Sequence, residues 1–391
     1  MIDCLSEMPG RNAPAEQLAR SGLDVMLAYG GGTPTTVGYS SVATPGALAG
    51  YALASQRYSS LSWKVLVEPA YSVAKNGFPL PLASQRYIDC THAGIFGWNP
   101  RALRPLQDEH GALKRAGDIV HVEGLSETLA TIAEQGAEAF YRGDIARLIA
   151  KDMEANGGLL GLSDLEAYRP RVLPALEVTL DDWHLATAAA PSVGGAALAA
   201  MLSLLRGLQH GPWTASMAAQ LIDVQTQVMR YRRCHLDRSD DLDRDIEGLL
   251  DFATENSPAL ASPSTVHTSA VDADGLACSV TASAGYGSGV MPPGTGIWMN
   301  NTLGEVELNK SGFPTLSPGT RSPSNMAPTI GHGPNGSVLS IGSPGADRIT
   351  TAILQTLTNF VRLDMTIQDA VDHPRLHVEW SREARPCVAF E

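Results

Sequence analysis

Residues 265–296 read TVHTSAVDADGLACSVTASAGYGSGVMPPGTG, and the reading of this stretch decides the fold. TVHTSAVD and LACSVTAS each alternate with period two, and Asp274-Gly275 stands between them, so the pattern predicts a β-hairpin. Thr265 heads the first strand, behind the small, proline-broken lead-in SPS, and glycines crowd the segment after the second. A threonine hydroxyl is a weak nucleophile unless a base lies beside it, and a chain-terminal α-amine, with a pKa of about 8, can be that base. Cleavage of the Ser264-Thr265 bond would put nucleophile and base into one residue.

Upstream of the hairpin the chain is helix-rich. TPGALAGYALASQRYSSLSWKVLVEPAYSVAKNGF carries two apolar runs at helical spacing, divided by serines and closed by Gly77, which predicts two packed helices. GLSETLATIAEQGAEAFYRGDIARLIAKDMEANGG predicts two more around Gly143, with Ser126 as N-cap and Gly157-Gly158 as the stop. ALEVTLDDWHLATA alternates as a strand pair, PSVGGAALAAMLSLLRGL opens a helix from a glycine turn, and residues 213–235 repeat the helical pattern. Residues 236–264 are acidic and then poor in large apolar groups, the pattern of an exposed connector.

The 391 residues are 44% hydrophobic and 18% charged, a globular composition with room for two domains or one large layered one. The formal charge of −13, without a basic block, disfavours nucleic acid and anionic lipid as partners. Five cysteines lie scattered and never in C-x-x-C spacing, which predicts mostly buried thiols rather than disulfides or a zinc knuckle. The N-terminus MIDCLSEMPGRNAP has no basic region or apolar run, and no 18-residue apolar stretch occurs. As written, the chain is expected in the cytoplasm, away from membranes.

Five blocks in order, TVHTSAVDADG, PGTGIWMNNTLGE, PSNMAPTI, GSPGADRITTAILQ and DHPRLH, resemble the small subunit of the γ-glutamyltransferase family. VATPGALAGY, EAFYRGDIA, GLLGLSDLEAYRP and APSVGG resemble its large subunit, so the likeness runs over residues 3 to 381. The resemblance implies an α+β fold, the four-layer αββα sandwich of the N-terminal-nucleophile hydrolases, made as one precursor that cuts itself between Ser264 and Thr265. Segments 1–264 and 265–391 then interleave in one sandwich domain. Thr265 stands as the nucleophile, attacking a γ-glutamyl amide such as glutathione, with water or an amino acid taking the acyl group. Ser283 falls where a second hydroxyl supports the nucleophile. Gly345 and Ala346 take the place of the oxyanion-binding backbone pair, where little side chain is tolerated. Ser324 and Asn325 stand where a serine pair holds the substrate α-carboxylate. Thr302 and Glu305 replace a glutamine and an aspartate, and Glu305 keeps a carboxyl for the α-ammonium. The resemblance calls for no metal and no cofactor, and implies a heterodimer of the cleaved pieces, with self-association left open.

Three departures stand against these matches. After Ser283 the run AGYGSG is two residues short and lacks the family's glutamyl-contacting asparagine; IDCLSE offers no arginine for the carboxylate, with Arg11 close but not aligned. The family's segments before Ile2 and after Trp380 find no counterpart, and a sandwich lacking their strands is expected to expose apolar edges.

Other residues read more simply. His267 alternates onto the same strand face as Thr265, and packing explains it better than a Thr-His pair. His373 and His377 flank Pro374 and cannot form a helical i, i+4 metal pair; DRSDDLDRD lacks the glycine and closing glutamate of a calcium loop; Gly30-Gly31-Gly32 lacks the lysine of a phosphate loop. Two classes of function follow: an autoprocessed threonine acyltransferase or amidohydrolase, for γ-glutamyl amides or for another acyl group of secondary metabolism, and a truncated, non-catalytic homologue.

Overall fold

A computed structural model describes residues 1–13, 22–28, 32–205, 211–237, 239–253, 265–309, 316–345, 348–380 and 385–390. The chain divides into two compact units, and each draws on residues from both sides of position 264. The hairpin unit comprises Met1, Leu173–Ser283 and Pro323–Glu391; the second unit comprises Ile2–Val172 and Ala284–Ser322.

In the hairpin unit, ALEVTLDDWHLATA forms strands Leu176–Leu180 and Trp183–Thr187 as its alternation predicts. Val178 pairs with Leu185 and Leu180 with Trp183, so one face carries all four apolar side chains. Asp181 makes the tight turn with a left-handed φ of 50°. Thr329–His332 and Val338–Ile341 extend these strands into a four-stranded antiparallel sheet. Against it packs the helix Val193–Leu204, VGGAALAAMLSL, whose small and aliphatic residues are buried all round. Helices Ala215–Tyr231 and Ile349–Arg362 complete this core with Leu221, Val228, Ile353, Leu354 and Leu357.

The two glycines in the first turn of Val193–Leu204 have a steric cause. A Cβ on Gly194 would fall 1.9 Å from Asn325 O, and one on Gly195 would fall 1.9 Å from Ala188 O. No side chain fits such backbone approach.

The predicted hairpin is present as Val266–Val271 and Ala277–Ala282, antiparallel, with Val266 opposite Ala282 and Val271 opposite Ala277. It lies against strand Val338–Ile341: Ser279 Oγ donates to Ile341 O (3.0 Å) and Ser340 Oγ donates to Cys278 O (2.9 Å). Val266, Val271 and Leu276 are 69%, 45% and 60% exposed.

In the second unit the predicted helix pair is Ala47–Tyr58 and Trp63–Asn76. The next region forms three helices rather than two, Leu125–Gln135, Glu138–Tyr141 and Asp144–Ala155, because Gly136, with φ of 77°, adds a break to that at Gly143. Its first helix is capped by left-handed Gly124, and Ser126 lies inside, its hydroxyl donating to Glu127. Ile132, Phe140, Ile145, Ile149, Met153 and Leu165 form the core there. Arg321, 5% exposed, is held by Asp3 and Glu7, each at 3.2 Å, and lies over the Tyr168 ring.

Three expectations need correction. Residues 236–264 are not all connector: Leu242–Ala253 is a helix that buries Ile246, Leu249 and Ala253. LDRDIEGLLDFA is charged on one face only, and its apolar residues recur at i, i+3, i+7. Residues 254–264, including Ser264, lie outside the described residues. A strand does follow Trp380: Pro386–Phe390 pairs antiparallel with Leu376–Trp380. The cysteines are mostly exposed, with only Cys4 partly buried. No helix among the described residues is long and apolar enough to cross a membrane.

Candidate active site

Thr265, partly buried, directly precedes strand Val266–Val271. The hairpin register ends at Val266 opposite Ala282, one residue short of Thr265 on one strand and of Ser283 on the other. His267 and Thr281, the adjoining pair, are hydrogen-bonded, with Nδ1 2.9 Å from Thr281 Oγ1. The second ring nitrogen, Nε2, lies 2.8 Å from Ser269 Oγ. Burial holds the imidazole below its ordinary pKa, so it is neutral around pH 7.

Beyond strand Val338–Ile341, the turn GSPG runs from Gly342 to Gly345, whose φ of 118° favours glycine. Gly345 O accepts from Arg348 N (2.8 Å), and the chain enters the helix Ile349–Arg362, whose N-terminal dipole favours negative charge nearby. Ala346 lies outside the described residues.

Ser324 and Asn325 are buried beside the start of helix Val193–Leu204. Ser324 O accepts from Gly194 N (3.1 Å), and Ser324 Oγ accepts from Met326 N (3.1 Å), leaving the Ser324 hydroxyl its own proton to donate. Ser192, the N-cap, donates to Met326 O and so fastens the same loop.

Thr302 and Glu305 belong to the second unit, where both are buried. Burial, reinforced by the neighbouring Glu307 charge, pushes the Glu305 carboxyl well above the usual carboxylate range. Tyr286 donates its hydroxyl to Glu307. Gly285 takes a left-handed φ of 62°, and a Cβ there would fall 2.3 Å from Asn301 Oδ1 and 2.8 Å from Glu305 Oε1. The short AGYGSG run therefore brings bare backbone up to the Glu305 carboxyl. Arg11 is committed elsewhere: its guanidinium donates to Glu7 (2.8 Å) and lies 3.9 Å from Asp164.

The hairpin unit thus brings Thr265 and Ser283 to one end of the hairpin and sets Ser324-Asn325 at a helix start, while Thr302 and Glu305 are placed by different elements. The contact of Gly342 with the His267 ring was missed from the sequence. Period-two alternation put His267 on the Thr265 face, but nothing in the sequence pairs it with a residue 75 positions away. Among the described residues no group of three or more His, Cys, Asp or Glu could hold a metal ion.

Comparison with known proteins bears on this arrangement. The gamma-glutamyltranspeptidase family model matches residues 25–247 and 235–385. The glutathione hydrolase proenzyme of Pseudomonas sp. (strain A14) is 28% identical over 394 residues, which cover 91% of this chain and 68% of that protein. The glutathione hydrolase proenzyme of Escherichia coli (strain K12) is 27% identical over 377 residues, covering 86% and 64%. The chain thus spans about two thirds of the length of these relatives. Among solved structures, the cephalosporin acylase from Bacillus halodurans superimposes with a TM-score of 0.77 at 24% identity, covering 97% of this chain and 72% of that one. That likeness carries the fold, the α+β, four-layer αββα sandwich that the resemblance implied. With the family model matching most of the chain, from residue 25 to residue 385, the chain belongs to the gamma-glutamyltranspeptidase family.

Proposed function

We propose that this chain is an autoprocessed, threonine-nucleophile γ-glutamyltransferase or hydrolase, acting on glutathione or another γ-glutamyl amide. Thr265 Oγ1 attacks the Ser264 carbonyl, the acyl group moves from nitrogen to oxygen, and water hydrolyses the ester, leaving 1–264 and 265–391 as two polypeptides of one sandwich. The freed Thr265 α-amine then takes the proton from its own hydroxyl as that oxygen attacks the γ-glutamyl carbonyl. Backbone N–H groups at Gly345 and Ala346 receive the oxyanion, and the nearby helix start favours the same charge. The amine product leaves protonated, and water or an amino acid takes the acyl group from Thr265.

Ser283 supports the nucleophile by hydrogen bonding to its hydroxyl. Ser324 and Asn325 hold the substrate α-carboxylate, and Glu305 with Thr302 receives the α-ammonium. The observation that supports this reading is the hairpin register, whose last pair, Val266 with Ala282, lies one residue from Thr265 and from Ser283 in a chain of this family.

Denaturing electrophoresis with N-terminal sequencing tests it. Two polypeptides are expected, the smaller beginning at Thr265, and Thr265→Ala should leave one chain. A wild-type chain that stays whole through long incubation would overturn the reading.

The engagement of Arg11 by Glu7 and Asp164 favours a second reading, a relative that has turned to a different acyl group. Without an arginine, an α-carboxylate loses charge-assisted hydrogen bonds of roughly 1.5–3 kcal/mol each. Poor turnover of γ-glutamyl-p-nitroanilide beside rapid turnover of other acyl anilides would select it.

A further inference from the structure

We infer that His267 is a positioning residue, a ring fastened on both nitrogens that seats Gly342 and so sets the spacing between the strand headed by Thr265 and the turn ending at Gly345. The inference rests on the reading of Thr265 as nucleophile and Gly345 as part of the oxyanion site.

The contact itself is tight. A Cβ on Gly342 would fall 2.2 Å from His267 Nδ1, 2.3 Å from Cε1 and 2.7 Å from Cγ. The ring occupies the space a side chain at 342 would need, so the turn's backbone lies directly on the imidazole. Both nitrogens are used, Nδ1 with Thr281 across the hairpin and Nε2 with Ser269 along the strand. Two hydroxyls of opposite placement fix the plane of the ring, which a leucine of similar volume could not do. A base acting on Thr265 would need a free nitrogen aimed at it; here each nitrogen already has a hydroxyl partner.

Position completes the argument. His267 lies two residues from Thr265 on the same strand face, and Gly342 three residues from Gly345. The hydrogen bonds of Ser279 to Ile341 and of Ser340 to Cys278 fix the strand leading to the turn, and the His267–Gly342 contact fixes where the turn begins. Displacing a donor pair from a developing oxyanion acts on the chemical step rather than on substrate binding.

The test is a double-mutant cycle of His267→Ala and Gly342→Ala in the full chain, with kcat and KM for γ-glutamyl-p-nitroanilide and the extent of self-cleavage measured alongside thermal melting. Each single variant should lose about tenfold or more in kcat with KM changed less than about threefold. The double variant should be no worse than either single one, because an alanine methyl at 342 fits the space the ring vacates. His267→Gln, which keeps a planar hydrogen-bonding group against Thr281 and Ser269, should recover most of kcat, and it carries the test if His267→Ala does not fold. Multiplicative losses in the double variant, single variants with wild-type kcat, or no recovery with glutamine in a folded chain would overturn the inference while leaving the enzyme reading intact. A wild-type chain with neither turnover nor cleavage, indistinguishable from Thr265→Ala, would remove that reading and the inference with it.

Discussion

Replacing Glu305 by glutamine should make the protein more stable above neutral pH and a poorer binder of its substrate. Glu305 is 8% exposed, and burial together with the Glu307 charge raises the pKa of its carboxyl well above the ordinary 4.5. An acid whose folded pKa lies above its unfolded one holds its proton more tightly in the folded state. Its contribution is fully present below pH 4.5 and is lost as pH rises through the folded pKa. Each pH unit in that window removes about 1.4 kcal/mol. Glutamine keeps the shape beside Gly285 and Asn301 but cannot ionise, so Glu305→Gln removes this loss. Thermal melts of the two proteins at a series of pH values from 4 to 9 should therefore diverge as pH rises, with the variant ahead. A bound α-ammonium favours ionisation of the Glu305 carboxyl, an option glutamine lacks, so in the same variant KM for a γ-glutamyl amide should rise by about ten- to a hundredfold, from roughly 1.5–3 kcal/mol for a hydrogen bond to a charged group. Parallel pH–stability curves would refute the buried-acid argument, and an unchanged KM would refute the assignment of the ammonium to Glu305.

His377 should act in the opposite sense: burial and Arg348 depress its pKa from 6.5 to about 4, so stability present above pH 6.5 falls as pH drops towards 4, and His377→Gln should flatten that limb in acid melts. Arg362→Met should cost about 1–3 kcal/mol, read by denaturant titration, because the 1%-exposed guanidinium gives up its bonds to the part-exposed Asp181 carboxylate, at 2.9 and 3.0 Å, and leaves the buried Leu205 carbonyl without that donor. Gly194→Ala should push the Ser324-Asn325 loop away from the helix start, raising KM more than it lowers kcat in steady-state assays, since its Cβ meets Asn325 O at 1.9 Å. Ser283→Ala should slow acylation by roughly tenfold or more while leaving KM near wild type, if its hydroxyl supports the nucleophile.

What the sequence made legible follows a physical division. The hairpin and the strand pair Leu176–Leu180 and Trp183–Thr187 were readable because alternation and a turn of Asp-Gly or Asp-Asp are local properties. The helix Leu242–Ala253 was hidden because its charged face dominates composition, although its buried stripe keeps helical spacing. Thr265 stood out as the head of a strand, whereas Ser283 was reached only through the resemblance. The seat of Gly342 on His267, the closure of Arg11 by Glu7 and Asp164, and the approach of Gly285 to Glu305 depend on the third dimension, and no spacing along the chain encodes them. The glycines of APSVGG were recognisable as a turn, yet their reason is the carbonyl oxygens of Asn325 and Ala188 arriving from other segments.

The composition of the two units bears on what happens after the proposed cut. Residues 1–264 supply Leu173 onward to the hairpin unit and Ile2–Val172 to the other, while residues 265–391 supply the hairpin and Pro323–Glu391 to the first and Ala284–Ser322 to the second. Neither polypeptide owns a unit. Such a pair does not behave as two folded partners in a dissociation equilibrium: separating them dismantles both units at once, so the two pieces part only at the rate of global unfolding. Dilution should leave the cut protein assembled, and mixing two preparations labelled on different pieces should exchange nothing on the timescale on which the native state persists.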